Sequence, residues 1–217
     1  MLSSISIILY MRIDQVMIKN MLGDSELGIY SVAVKIAELP NFIPVIISAS
    51  VFPAIISYRK NKKLYNLRLQ QLYNVFSLIS ISIALVISIF SPFIIWILFW
   101  NQYSGASVIL SIYIWSIVPV FLWVASGKYL LTENLTDISL YRTLIWAIMN
   151  VILNIILIPI YGWIWAAVST VVSYTISVYI IIIIKKTRKN WLLLVKGLNI
   201  FYTIKNLQKI LWDIYKK

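Results

Sequence analysis

An all-α bundle of membrane-spanning helices is the fold class this sequence predicts, and three observations predict it. Of the 217 residues, 61% are hydrophobic and 12% charged, with a mean hydropathy of +0.90, more apolar surface than a water-soluble domain of this length can cover. Apolar runs of about 20 residues, the helix length that crosses a hydrocarbon core about 30 Å thick, recur six times along the chain. Lys and Arg cluster in alternate connections between those runs, which is the asymmetry that orients spans in a bilayer. The net charge of +12 is therefore a topology signal and not the footprint of a nucleic-acid partner. Absence of cysteine and histidine rules out disulfides, thiolate chemistry and the usual imidazole ligand or proton shuttle.

The first span, A, is placed at residues 1–22. No basic n-region or small-residue cleavage pattern precedes Arg12, so it reads as a retained helix and not as a cleaved leader. The connection 23–28, GDSELG, carries two glycines and two acids and reads as a tight turn. Span B, residues 29–57, contains Pro40, Pro44 and Pro53 and should kink. Residues 58–72 hold Arg59, Lys60, Lys62, Lys63 and Arg68 without an acid, which makes this loop cytoplasmic by the positive-inside rule. Spans C (73–99), D (107–131), E (138–160) and F (162–184) follow. The C–D connection and the Tyr161-Gly162 turn contain no base, and the D–E connection is flanked by Lys128 and Arg142. Alternation therefore agrees throughout and puts both termini in the cytoplasm.

Two units result: a six-helix transmembrane lobe, 1–184, and a basic tail, 185–217. In the tail Ile200, Ile204, Leu207, Leu211 and Ile214 share one helical face, the pattern of an amphipathic helix on an anionic inner leaflet. A seventh span is the weaker reading, because Lys196, Asn199, Lys205 and Asn206 interrupt the apolar run. Small residues at four-residue spacing, Ser80, Ala84 and Ser88 in C and Ser169, Ser173 and Ser177 in F, predict faces of close helix contact.

Five charges, Arg12, Asp14, Lys19, Lys35 and Glu38, fall within the first two spans. Each costs about 2.5 to 3.5 kcal/mol at a helix centre on insertion scales, so each needs a partner or an aqueous cavity. Ser31, Lys35 and Glu38 form one stripe of B, and Arg142, Asn150 and Asn154 nearly one stripe of E. If A and B form a hairpin turning at 23–28, Arg12 and Glu38 lie at matching depth, and Asp14 and Lys35 nearly so. Mutual neutralisation and a hydrated, net-positive cavity both fit. No catalytic set is present: no histidine, cysteine nucleophile, glycine-rich phosphate loop or paired acids in an aqueous loop. Glu133 and Asp137 lie four apart in the D–E connection, but Asn134 to Thr136 between them reads as the turn and cap of E, so they are not taken as catalytic carboxylates. The chain is read as a non-enzyme without cofactor or metal.

The run from Tyr10 to Ile55, with Arg-Ile-Asp-Gln in a span, Leu-Gly-Asp and Gly-Ile-Tyr-Ser at the turn, and then Phe-Ile-Pro and Phe-Pro-Ala-Ile, resembles the seventh and eighth helices of Wzx-type O-antigen and capsular polysaccharide flippases. Residues Asn150 to Tyr174, with Asn-Ile-Ile-Leu-Ile-Pro, Tyr-Gly and Ser-Thr-Val-Val-Ser-Tyr, are similar to the eleventh and twelfth. These proteins belong to the multidrug and oligosaccharidyl-lipid exporter superfamily. The resemblance implies the C-terminal six-helix lobe of a twelve-helix transporter whose path runs between two lobes. It also implies a lipid-linked oligosaccharide substrate on undecaprenyl pyrophosphate and residence in the bacterial inner membrane, with an N-terminal lobe, a second copy or other polysaccharide-assembly proteins as partners. Arg12, Lys19, Lys35 and Arg142 are the candidates for contacting the pyrophosphate and acidic sugars, since fixed cations in a low-dielectric cavity attract phosphate. Asp14 and Glu38 are candidates for counter-charges or for binding a coupling proton or sodium ion. A multidrug extruder of the same superfamily is the first rival, opposed by the excess of bases over acids. A non-transporting remnant that only binds partners is the second, opposed by the polar stripes.

Overall fold

The computed structural model describes residues 12–199 and Thr203. Nine α-helices account for nearly all of this stretch: α1 (Ile13–Leu22), α2 (Asp24–Glu38), α3 (Phe42–Ser57), α4 (Lys62–Phe99), α5 (Ala106–Tyr113), α6 (Ile117–Thr132), α7 (Thr136–Tyr161), α8 (Trp163–Tyr179) and α9 (Arg188–Leu198). Five helical segments among the described residues are long and apolar enough to cross a membrane: Asp24–Ser57, Lys62–Tyr103, Ala106–Thr132, Thr136–Tyr161 and Trp163–Ile182. They correspond to B through F. The first half of span A, residues 1–11, and the predicted face Ile200 to Ile214 lie outside the described residues.

Element boundaries depart from the sequence expectation at two connections, each for a local reason. The turn at 23–28 shrinks to Gly23, whose φ of 107° favours glycine. Asp24 and Glu26 then occupy the first turn of α2, where carboxylates stabilise the positive end of the helix dipole. Gly162, φ 78°, makes the equivalent turn between α7 and α8. The basic loop 58–72 shrinks likewise, to residues 58–61. Asn61 caps α4 by accepting from the Leu64 amide at 3.2 Å, and Tyr65, Leu69, Leu72, Tyr73 and Phe76 form the buried stripe of an amphipathic extension. At 38 residues α4 is roughly 57 Å long at 1.5 Å per residue, nearly twice the hydrocarbon core.

Span B breaks where its prolines demand it. A 3₁₀ turn at Leu39–Asn41 separates α2 from α3, because Pro40 cannot donate its missing N–H. Span D is broken as well, by a 3₁₀ turn at Ile114–Ser116. The halves of B take different neighbours, α2 packing on α1 and α5, and α3 on α6 and α4.

The connections separate into two ends. At one, which we call the glycine end, Gly28 approaches the Tyr103 ring and Gly105 approaches Trp163. Trp96, Trp100, Tyr161 and Trp165 are exposed there, as aromatic residues are at a membrane interface. At the other, the basic end, Arg59 meets Glu133 at 3.6 Å, and α9 lies along the projecting part of α4. Gln70 donates to the Leu193 carbonyl at 2.9 Å and the Tyr73 hydroxyl to Asn190 Oδ1 at 2.7 Å. Leu194 is buried. Gly197 sits so close that an added Cβ would come within 2.9 Å of Tyr73 Cβ and 3.1 Å of its backbone. The described part of the tail thus docks on protein.

Both small-residue stripes lie inside the bundle. Ser80 and Ala84 are buried, as are Ser169, Ser173 and Ser177, and Ser88 donates across to the Ser111 carbonyl on α5 at 3.1 Å. Glu133 ends α6 and Asn134 takes a positive φ of 57°, the turn geometry expected before α7.

Candidate functional site

The hairpin at Gly23 aligns α1 with α2, and α5 and α8 close the space beside them. Arg12 Nη2 lies 2.9 Å from Glu38 Oε2, with side-chain exposures of 41% and 31%, the pair that matching depth predicts. Glu38 also accepts from the Tyr113 hydroxyl at 3.2 Å. Asp14, buried, accepts from the Tyr30 hydroxyl at 2.6 Å and from the Gln15 amide at 2.9 Å. The Tyr30 and Tyr113 rings meet edge to face at 6.2 Å. Arg12, Glu38, Tyr113, Tyr30 and Asp14 therefore form one continuous series across α1, α2 and α5.

A second polar series reaches the same point from α7 and α8. Asn154 donates to Asn150 Oδ1 at 3.1 Å, Asn150 to Thr170 Oγ1 at 3.2 Å, and Thr170 to the Ala166 carbonyl at 3.1 Å. Between the two series is a cavity of about 20 Å³ lined by Asp14, Glu38, Tyr113, Asn150, Thr170 and Tyr174 among others, room for one water-sized guest. Its polar groups are two carboxylates with hydroxyl and amide groups around them. No cluster of three or more His, Cys, Asp or Glu able to hold a metal occurs among the described residues. A small monovalent cation or a proton is the guest such an oxygen-rich site can take, whereas a divalent ion asks for more ligands at fixed geometry.

The other candidates lie apart. Lys19 pairs with Asp24 at 3.2 Å near the glycine end, both largely exposed. Lys35 is exposed and makes no salt bridge among the described residues, so the Asp14–Lys35 match suggested by depth gives way to Asp14–Tyr30. Arg142 is 1% exposed and has no acidic partner among the described residues. It donates to Ser126 Oγ at 2.5 Å and to the Trp123 carbonyl at 3.2 Å, and its guanidinium stacks over the Trp123 ring at 4.0 Å. Trp123 leads back to the cavity, because its ring meets Tyr174 at 6.1 Å and Tyr174 meets Trp146 at 4.9 Å.

Tyr30, Tyr113, Thr170 and Tyr174 are the residues that a search for charged stripes overlooks. The usable signal was their register: Tyr30 lies eight residues before Glu38 on the same helix face, but hydropathy treats a buried tyrosine as apolar.

Residues 1–108 match the family described as "Polysaccharide biosynthesis protein". The "Probable low-salt glycan biosynthesis flippase Agl15" of Haloferax volcanii is 28% identical over 183 residues, 81% of this chain and 38% of the relative. The "Probable flippase AglR" of the same organism is 31% identical over 175 residues, 77% of this chain and 36% of the relative. These matches support membership of the Wzx-like polysaccharide flippase family. The chain spans little more than a third of the length of these two relatives. No solved structure matches it. The family match covers α1 to α4 and the start of α5, so the Arg12–Glu38 and Asp14–Tyr30 contacts fall within it.

Proposed function

We propose that the chain supplies one lobe of a flippase that moves a lipid-linked oligosaccharide across a bacterial inner membrane. Undecaprenyl pyrophosphate is the carrier in this reading, and O-antigen or capsular polysaccharide the product. Both chain ends face the cytoplasm. The observation that carries the reading is the polar cluster of Arg12, Asp14, Glu38, Asn150 and Thr170 inside a predominantly apolar bundle. Intramembrane ionisable groups are expensive and are kept where a path or a coupling site needs them. Asp14 is the coupling-ion residue: it is buried, it has only neutral hydrogen-bond donors, and a water-sized cavity adjoins it. Glu38 is the counter-charge of Arg12. Arg12 and Lys35 keep the exposure that contact with a pyrophosphate needs, Lys19 offers a further cation towards the glycine end, and Arg142 acts from inside through Trp123.

The family's relatives named as flippases support a glycan substrate over a drug-like cation. The polar cluster favours transport over a role limited to partner binding. The test is complementation of a flippase-deficient strain. Expressed with an N-terminal six-helix lobe, the chain should restore surface glycan. Expressed alone it should insert without restoring it, because a path between two lobes needs both walls. Restoration by the chain alone would replace the two-lobe reading with a homo-oligomer. Failure with every complementary lobe, at normal membrane levels, would refute transport. Topology is tested by labelling introduced cysteines in intact cells: Ser25 and Ser104 should be reached from outside, and Lys63 should not.

A further inference from the structure

At the basic end a cavity of about 340 Å³ opens between α4, the end of α6 and α9, lined by Arg59, Lys62, Tyr65, Glu133, Lys189 and Asn190 among others. That volume lies within the range of small-molecule sites. Three cations against one carboxylate leave it net positive, and the carboxylate, Glu133, is engaged by Arg59 at 3.6 Å. Exposed lysines alone would mean little, but two buried side chains lining the same cavity from α4 and α9 have unused donors. Tyr65 is 5% exposed and its hydroxyl has no hydrogen-bond partner. Asn190 is 0% exposed; its Oδ1 accepts from the Tyr73 hydroxyl, and Nδ2 has no partner. A buried donor left unsatisfied is costly, so two of them lining one cationic cavity call for an acceptor.

We propose that this cavity binds a phosphate group, with Lys62, Lys189 and Arg59 supplying charge and Tyr65 and Asn190 supplying fixed hydrogen bonds. Phosphate fits because it carries up to two negative charges and several strong acceptor oxygens, matching the surplus of cations and donors. Two sources present that chemistry: the headgroup of an anionic lipid, which gathers where basic residues face the membrane surface, and free phosphate in solution. The site is separate from the Asp14 cluster, and its test reads binding and not transport.

The experiment titrates the purified full chain, in nanodiscs of zwitterionic lipid, with dihexanoyl phosphatidic acid, dihexanoyl phosphatidylcholine and inorganic phosphate. Wild type should bind phosphatidic acid at least tenfold more tightly than phosphatidylcholine. Tyr65→Phe removes a single oxygen and should weaken binding about fivefold to tenfold; Lys62→Gln with Lys189→Gln should weaken it more. The charge-matched change Lys60→Gln with Lys63→Gln, outside the cavity, should leave it unaltered. Competition by inorganic phosphate would identify the soluble source, and its absence the lipid headgroup; either supports a phosphate site. Wild-type affinity in Tyr65→Phe, or equal loss in the control pair, would overturn it. Should the double lysine variant fail to fold, Tyr65→Phe decides alone.

Discussion

Two charged regions of this bundle are held in opposite ways. Around Asp14 and Glu38 each carboxylate has been given specific donors, a phenol and an amide for one, a guanidinium and a phenol for the other. Arg142 has no counter-charge among the described residues and rests on a hydroxyl, a carbonyl and the face of an indole. Hydrogen bonds to neutral groups suffice for the second because guanidinium charge is spread over a plane that also stacks on an aromatic ring. A carboxylate concentrates its charge on two oxygens and must be met by donors. Expense at membrane depth thus says that a residue will be accommodated, and the shape of its charge says how.

The largest expected effect breaks the Arg142 side of this contrast. Arg142→Ala removes one of the largest fully buried side chains and leaves Trp123 without its stacking partner. It should cost about 3 to 5 kcal/mol, read as a fall in the thermal midpoint of the detergent-solubilised protein. Arg142→Lys should lose most of that too, because a point charge cannot serve the ring, Ser126 and the Trp123 carbonyl together; wild-type stability of the lysine variant would show that charge alone matters there. Next is Asp14→Ala, which strands the Tyr30 hydroxyl at a cost of about 1 to 3 kcal/mol. Adding Tyr30→Phe should recover part of that loss, and a cycle without coupling would dissolve the pair. For Arg12 and Glu38, both partly exposed, the coupling energy should be about 0.2 to 1 kcal/mol. In complementation, Arg12→Ala with Glu38→Ala should stay inactive if Arg12 touches substrate, while Arg12→Lys keeps partial function; near-normal flipping by the double variant would reduce Arg12 to a neutralising partner. The smallest effect belongs to Lys19→Gln, within about 0.5 kcal/mol, because its contact with Asp24 is exposed on both sides.

Much of the framework could be read in the sequence because the bilayer imposes a coarse grammar of apolar lengths, turn residues and base-rich connections. Gly23 and Gly162 marked the turns, and the depth of Arg12 and Glu38 foretold their pairing. The stripe Arg142, Asn150 and Asn154 is indeed buried along its whole length, but it meets α6 at one end and α8 further along. Periodicity gives a face and not its neighbours. Lys35 shows the converse: three residues before Glu38, it turns outward once Tyr30, Ala33, Val34 and Ala37 take the inner face. The helical start of α4 was hidden because a hydropathy average registers its bases and not the buried stripe beneath them.

The contact of Gly197 with Tyr73 has a thermodynamic consequence. The tail helix is seated by a missing side chain, so any larger residue there would lift α9 from α4. Lys189, Asn190 and Leu193 would leave with it, and they form one wall of the basic cavity. Occupancy of that cavity and seating of the tail are therefore a single coupled equilibrium. A ligand that prefers the seated helix tightens its seating by the same factor by which seating tightens the ligand.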